Sequence, residues 1–191
     1  LCINGAGIQY RWMKNNTGAN SYEEMNQLAA KQEIGSAGLL VYPFGNGAER
    51  MLNNQNLNAR FLNLNLNLHD LGSMYRATLE GIAFSFVYGL KFIEDDNFNL
   101  ASIKAGNDNL FQSAVFSQTI ASLVGKEIQL YNTTGAIGAA KASSTNVEDL
   151  DAFVKMSIKN DYFKSFTPEK DTSKYEMAFS NWKNQLEKMI K

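Results

Sequence analysis

The chain has 191 residues, the length of one ordinary domain, and its 45% hydrophobic and 12% aromatic content is enough to fill a core. The 18 basic and 19 acidic residues leave a formal charge of −1, so no global field would recruit nucleic acid or an anionic membrane, although a local cluster could still hold phosphate. One cysteine, Cys2, and one histidine, His69, exclude an internal disulfide framework and a Cys/His metal site, and suit a reducing cytoplasm.

The first residue is Leu, and Leu1–Ala6 carries no basic region or long apolar run, so it does not read as a signal peptide. It reads as the opening of a piece cut from a longer folded chain. Nowhere do 18 apolar residues run together, so no membrane span is expected. Cys2, between Leu1 and Ile3, is expected to be a small buried filler and not a nucleophile.

Residues 5–14 put Ile8, Trp12 and Met13 at helical spacing, ending at Asn15–Gly18. Ser21 caps a second helix, SYEEMNQLAAKQE, with Glu24 completing a capping box and Gly35 stopping it. Gly38–Phe44 reads as a buried strand, followed by a glycine-bearing loop and a polar stretch to Asn58. Phe61–Leu68, FLNLNLNL, alternates strictly, which predicts a strand with Leu buried and Asn outside, at a sheet edge because Asn is a poor strand former.

Asp70 opens the longest helix, about 70–95, with Met74, Leu79, Ile82, Phe86, Leu90 and Ile93 near one face and Gly81 placed for close packing. Strands are then expected at Ala101–Ala105 and Glu127–Tyr131, and helices at Leu110–Val124, Gly135–Ser143 and 147–158. Pro168 and its charged neighbours look like a linker before a last amphipathic helix, about 173–190, with Tyr175, Phe179, Trp182, Leu186 and Ile190 on one stripe. Strands alternating with helices point to an α/β domain, a sheet covered by helices.

Three segments could carry chemistry. In 101–118 a strand ends at Ala105-Gly106, turns through polar residues and enters a helix. The small residues would let a flat ring or a phosphate near the backbone, and Asn107, Asn109, Gln112 and Ser113 add hydrogen-bonding groups. An ordinary strand–turn–helix corner looks the same, and both readings stand. In 131–143, Thr133 or Thr134 can cap the helix that Gly135 begins. Gly135, Ala136, Gly138, Ala139 and Ala140 keep a flat face, for helix–sheet packing or for a nucleotide. In 43–50, Gly45 and Gly47 allow a bend, and Glu49 and Arg50 can form a surface ion pair or reach across a cleft. No GxxxxGK[ST] phosphate loop exists, and Gly5-Ala6-Gly7 is no dinucleotide fingerprint.

In this order the segments resemble the C-terminal domain of FGGY carbohydrate kinases. VYPFGNGAER (Val41–Arg50) is similar to that family's strand and Gly-Glu-Arg loop. Arg76, Ala77, Leu79, Glu80 and Gly81 are similar to its RAxLEG motif, Gln118, Ala121 and Gly125 to QxxADxLG, and TGAIGAA (Thr134–Ala140) to EaxALGAA. The opening INGAGIQYRWMK and AGNDNLFQSAVFSQ resemble the xylulose kinase branch. The resemblance covers about residues 3–145. The chain departs from it at Ala105, where the family has Gly, in a corner longer by a residue or two, at Asn63 for the usual Gly, and at Ser73.

The resemblance implies a ribonuclease-H-like, actin-like α/β architecture with a central sheet covered by helices. Residues 1–191 would be a single C-terminal nucleotide-binding domain, with about 160–191 as an extension helix. The full-length cytoplasmic enzyme would use ATP and Mg²⁺ to phosphorylate a sugar, D-xylulose first, with glycerol, gluconate or rhamnulose as alternatives. The base, the sugar pocket and most of the Mg²⁺ site would lie in an N-terminal domain of the same chain. None of Asp70, Asp95, Asp96 and Asp108 lies in the base motif, so the chain alone is expected to be inactive. The resemblance assigns the adenine and ribose side of the ATP site to Ala105, Gly106, Asn109, Gln112 and Ser113, with Gly135 and Ala136 bounding it. An inactive actin-like or sugar-binding regulatory domain is the competing reading. A homodimer stays open, with apolar surface expected where the absent half docks.

Overall fold

The structure, a computed structural model, describes residues 2–94, 100, 102–143 and 150–190. Its axis is the helix that Asp70 was expected to open. The Asp70 carboxylate accepts hydrogen bonds from the Ser73 backbone N–H at 2.8 Å and the Ser73 hydroxyl at 2.9 Å. Helix α3 then runs Leu71–Glu94, and Tyr75, Leu79, Ile82, Ala83, Phe84 and Val87 are buried along it. The expected strand start at Ala101, the opening of the helix at 147–149, Asp95, Asp96 and the side chain of Ile93 lie outside the described residues.

Before α3 come α1 (Ala6–Thr17), ended by Gly18 at φ 73°, and α2 (Tyr22–Ala30). The Ser21 hydroxyl accepts from the Glu24 N–H at 3.1 Å as the capping box requires, but the Glu24 carboxylate returns to the N–H of Asn20 at 2.9 Å, one residue upstream of the expected partner. Strand β1 (Leu40–Phe44) is buried throughout and pairs antiparallel with β2 (Asn58–Leu62), from Leu40↔Leu62 to Phe44↔Asn58. Gly81 of α3 faces β1: a Cβ there would lie 2.1 Å from the Val41 carbonyl oxygen, so the expected close packing is present and only glycine permits it.

Of the strand expected over Phe61–Leu68, only Phe61 and Leu62 are extended, as the end of β2. β2 ends at Leu62, Asn63 adopts φ 64°, and Leu64, Leu66 and Leu68 are 41%, 86% and 59% exposed. The cause is the partner: β1 begins at Leu40, so residues beyond Leu62 have no strand to bond. Asn65 and Asn67 instead build a turn in which Asn67 N–H donates to the Asn65 side chain and Asn65 N–H to His69 Nδ1.

The second sheet has the order β3-β4-β5. Strands β3 (Ile103–Gly106) and β4 (Ile128–Tyr131) run parallel, and helix α4 (Ala114–Val124) lies in the connection between them. Helices α5 (Gly135–Ser143) and α6 (Leu150–Asp161) follow, and β5 (Tyr162–Phe166), a strand the sequence reading did not expect, then pairs antiparallel with β4. The α/β class holds, but among the described residues the strands form two sheets and not one central sheet. Both pack around α3 and α4, whose apolar faces supply the common core.

The last helix, α7 (Ser173–Met189), carries the expected stripe. Tyr175, Phe179, Trp182 and Leu186 are buried and Ile190 is partly so. Trp182 is fully buried: its ring stacks on Tyr42 at 5.1 Å, its Nε1–H donates to the Val41 carbonyl at 2.9 Å, and its own carbonyl accepts from the Tyr42 hydroxyl at 2.9 Å. This helix is therefore part of the core and not an appendage to it. Cys2 is exposed, its thiol 3.5 Å from the Asn4 side chain, because the segment before α1 runs over the surface and not into the core.

Candidate functional site

The corner after β3 is shaped by its own backbone. Asn107 N–H donates to the Tyr131 carbonyl at 2.7 Å, which continues the β3–β4 ladder one step past Gly106. The Asp108 carboxylate accepts the Asn109 N–H at 2.7 Å, Asn109 sits at φ 50°, and Asn109–Gln112 form a 3-10 turn. The α-helix thus begins at Ala114 and not at Leu110. Ser113, 1% exposed, is its cap: the hydroxyl accepts from the Phe116 N–H at 3.4 Å.

Two clefts meet at this turn, and Asp108, Asn109 and Leu110 line both. The wider, about 570 Å³, is apolar at its base, with Ile82 and Phe86 of α3 and Phe111 and Phe116, and is bounded by Ile3, Ala6, Gly106 and Thr133–Gly135. The narrower, about 290 Å³, lies between the turn and α1–α2 and is lined by Gly7, Tyr10, Tyr22, Asn26, Gln112 and Ser113. The Tyr10 and Tyr22 rings stack at 5.7 Å and 22°. The Tyr10 hydroxyl donates to the Asn26 side chain at 2.8 Å, and burial raises its pKa well above the usual phenol range, so it stays a neutral donor. A third hollow, about 300 Å³, lies beyond Gly106 between Ala105, Lys104, Tyr131 and Phe153, with Lys141 paired to Asp161 at its rim.

The sequence-derived residues are distributed as follows. Gly106, Asn109 and Gly135 line the wide cleft, while Asn109, Gln112 and Ser113 line the narrow one. Ala105 faces the third hollow, and exposed Ala136 lines none of the three. Gly106 has an internal reason to be glycine: a Cβ would lie 2.5 Å from the Thr133 carbonyl oxygen. Gln112 is tied back to the Asn107 carbonyl at 3.4 Å. Tyr10, Tyr22 and Asn26 were not singled out in the sequence. They sit on two different helices, and no local pattern marks residues that tertiary packing alone brings to the turn.

Two acidic side chains depart from their surface reading or acquire a role. Glu49 makes no surface pair with Arg50. Its carboxylate is fully buried and accepts the Asn4 N–H at 3.0 and 3.2 Å. Glu80 is buried beside Arg76 at 2.7 Å and accepts from the Gly35 N–H and the Ser36 hydroxyl, while Arg76 also donates to the Gln32 carbonyl. Burial pushes the Glu80 carboxyl above the usual range, against the pull of Arg76 and the Gly35 N–H. The pair fastens the α2–β1 connection to α3, so the RAxLEG residues work in the frame and not at the clefts.

The site is thus a strand–turn–helix corner open to two clefts within an α/β frame. Residues 3–146 match the FGGY family of carbohydrate kinases, C-terminal domain, and the chain belongs to that family. It is 33% identical over 110 residues to the xylulose kinase of Haemophilus influenzae, a stretch covering 56% of this chain and 21% of that one. The fold is similar to the xylulose kinase of Rhodospirillum rubrum (TM-score 0.74, 20% identity, 96% of this chain and 38% of that one). It is also similar to the glycerol kinase of Plasmodium falciparum solved with ADP (TM-score 0.77, 18% identity, 96% and 37%). The chain thus spans less than two fifths of the length of these relatives.

Proposed function

We propose that this chain is the ATP-binding half of a sugar kinase, with D-xylulose as the acceptor. The single observation that carries the reading is the Asp108–Ser113 turn, open on both sides, in a chain of this family. The purine lies against the turn, with Asn109 and Gln112 offering amide groups to its ring nitrogens and the stacked Tyr10–Tyr22 pair and Asn26 forming the facing wall. Gly106 and Gly135 keep the wide cleft open toward the phosphates, with Ala105 and Ala136 next to them in the chain. The domain is one lobe of a ribonuclease-H-like, actin-like clamp. An N-terminal domain of the same cytoplasmic chain supplies the general base and the sugar pocket.

Magnesium would neutralise the developing charge on the transferred phosphoryl group. Among the described residues no three His, Cys, Asp or Glu side chains come together; most of the Mg²⁺ site is assigned to the N-terminal domain. Nor, among them, is any helix long and apolar enough to cross a membrane.

The test is ADP release by the full-length protein across a panel of sugars and polyols with ATP. D-xylulose should give the highest kcat/KM, and the 191-residue chain alone should give none. Asn109→Ala should raise the KM for ATP about tenfold, the scale of one lost positioned hydrogen bond to a ligand. ADP binding without turnover on any sugar would replace this reading with that of an inactive regulatory domain.

A further inference from the structure

Helix α1 starts without any of the usual devices. Its cap residue is Gly5, no side chain bonds its first N–H groups, and its first turn holds no acidic residue. Yet its first turn is a wall of the candidate site: Ala6 lines the wide cleft and Gly7 the narrow one. What fixes that turn comes from another part of the chain. Both carboxylate oxygens of the buried Glu49 accept the N–H of Asn4, two residues before the helix. The Asn4 side chain donates to the Ala48 carbonyl at 2.9 Å, and the Asn46 side chain donates to the Asn4 carbonyl at 3.0 Å. Gly5 then presses on the end of β1, where a Cβ would lie 1.7 Å from the Pro43 carbonyl oxygen. Residues 43–49 therefore close around Asn4-Gly5 from three sides.

A carboxylate removed from water must be held by donors or it destabilises the fold. Glu49 has its donor in the backbone just ahead of α1 and fixes that end of the helix by its hydrogen bonds. We infer that Glu49 is a positioning residue for nucleotide binding: it sets the start of α1, and through Ala6 and Gly7 the spacing of both clefts. This deepens the proposed nucleotide site and rests on it. Sequence alone left Glu49 to pair with Arg50 or to reach across a cleft, because the 45-residue separation from Asn4 hides the contact.

The test is calorimetric titration of ADP into the full-length protein, with steady-state kinetics alongside. Glu49→Ala should weaken ADP and raise the KM for ATP about tenfold or more, as small displacements of a positioning wall do, while the KM for sugar stays unchanged. Glu49→Gln keeps one acceptor for the Asn4 N–H and should recover ADP affinity to within about threefold of the parent. Asn46→Ala removes only the exposed bond to the Asn4 carbonyl and should produce a smaller loss in the same direction, which keeps the test usable if Glu49→Ala does not fold. A fall in kcat with unchanged ADP affinity in Glu49→Ala, or unchanged affinity in Asn46→Ala when Glu49→Ala is insoluble, would overturn the inference and leave the kinase reading intact. ADP binding that responds to Glu49 in a protein with no sugar-dependent turnover would sustain the inference and remove the kinase reading. No ADP binding by the parent would overturn both.

Discussion

Replacing Gly106 with alanine separates two reasons for a small residue at the β3 corner. One reason is a ligand lying on the backbone; the other is the chain's own packing. The geometry favours the second: an added Cβ would meet the Thr133 carbonyl oxygen at 2.5 Å, where real Cβ atoms essentially never come closer than 3.0 Å. The strand end must therefore retreat by about 0.5 Å, an overpacking cost of about 1–3 kcal/mol. The neighbouring Asn107 N–H to Tyr131 carbonyl bond, 2.7 Å long, is stretched by the same movement and adds about 1 kcal/mol. Gly106→Ala should thus lose about 2–4 kcal/mol in urea unfolding of the full-length protein. Gly106→Val should lose more. ADP affinity, measured on the protein that remains folded, should fall only as far as the displaced turn requires. A Gly106→Ala protein as stable as the parent that no longer binds ADP would refute the packing argument and return the glycine to the ligand.

The remaining predictions concern the frame. Trp182→Ala empties a fully buried site and orphans the Val41 carbonyl; it should cost about 4–6 kcal/mol, enough to leave the domain largely unfolded by circular dichroism. Asp70→Ala removes the α3 cap and should cost about 0.5–2 kcal/mol at neutral pH. Bonds from the Ser73 N–H and then the Ser73 hydroxyl hold Asp70 below its ordinary value of 3.8, so its contribution is present above that value and disappears as pH falls through the lower folded one. The stability gap between Asp70→Ala and parent should accordingly close only in that acid range.

What the sequence made legible follows from how local each signal is. Asp70 and Ser21 as caps, Gly81 as a contact point and the Tyr175–Leu186 stripe each express a constraint carried within a few residues, and each is found in place. The Asn-Leu alternation misled because period two states only that alternate residues share a face. Whether a strand forms also depends on a bonded neighbour, and β1 starts too late to provide one. β5 was hidden by the opposite effect. YFKSF is short, and its pairing with β4 is a tertiary matter; read alone, it lay beside a proline in charged surroundings. At the site, the turn itself was visible, but its facing wall was not. Tyr10, Tyr22 and Asn26 meet Asn109 and Gln112 across more than 80 residues of chain, and Glu49 meets Asn4 across 45.

The bond from Trp182 to Val41 spans 141 residues, and it bears on how the protein is made. On a ribosome adding roughly 5–20 residues each second, β1 emerges about 7–30 s before the indole that covers it. Through that interval the buried face of Tyr42 and Phe44 lacks its lid, and a core closed by so distant a contact assembles slowly. Overproduction should therefore reward added chaperone, which shields this sheet for the time that it spends uncovered.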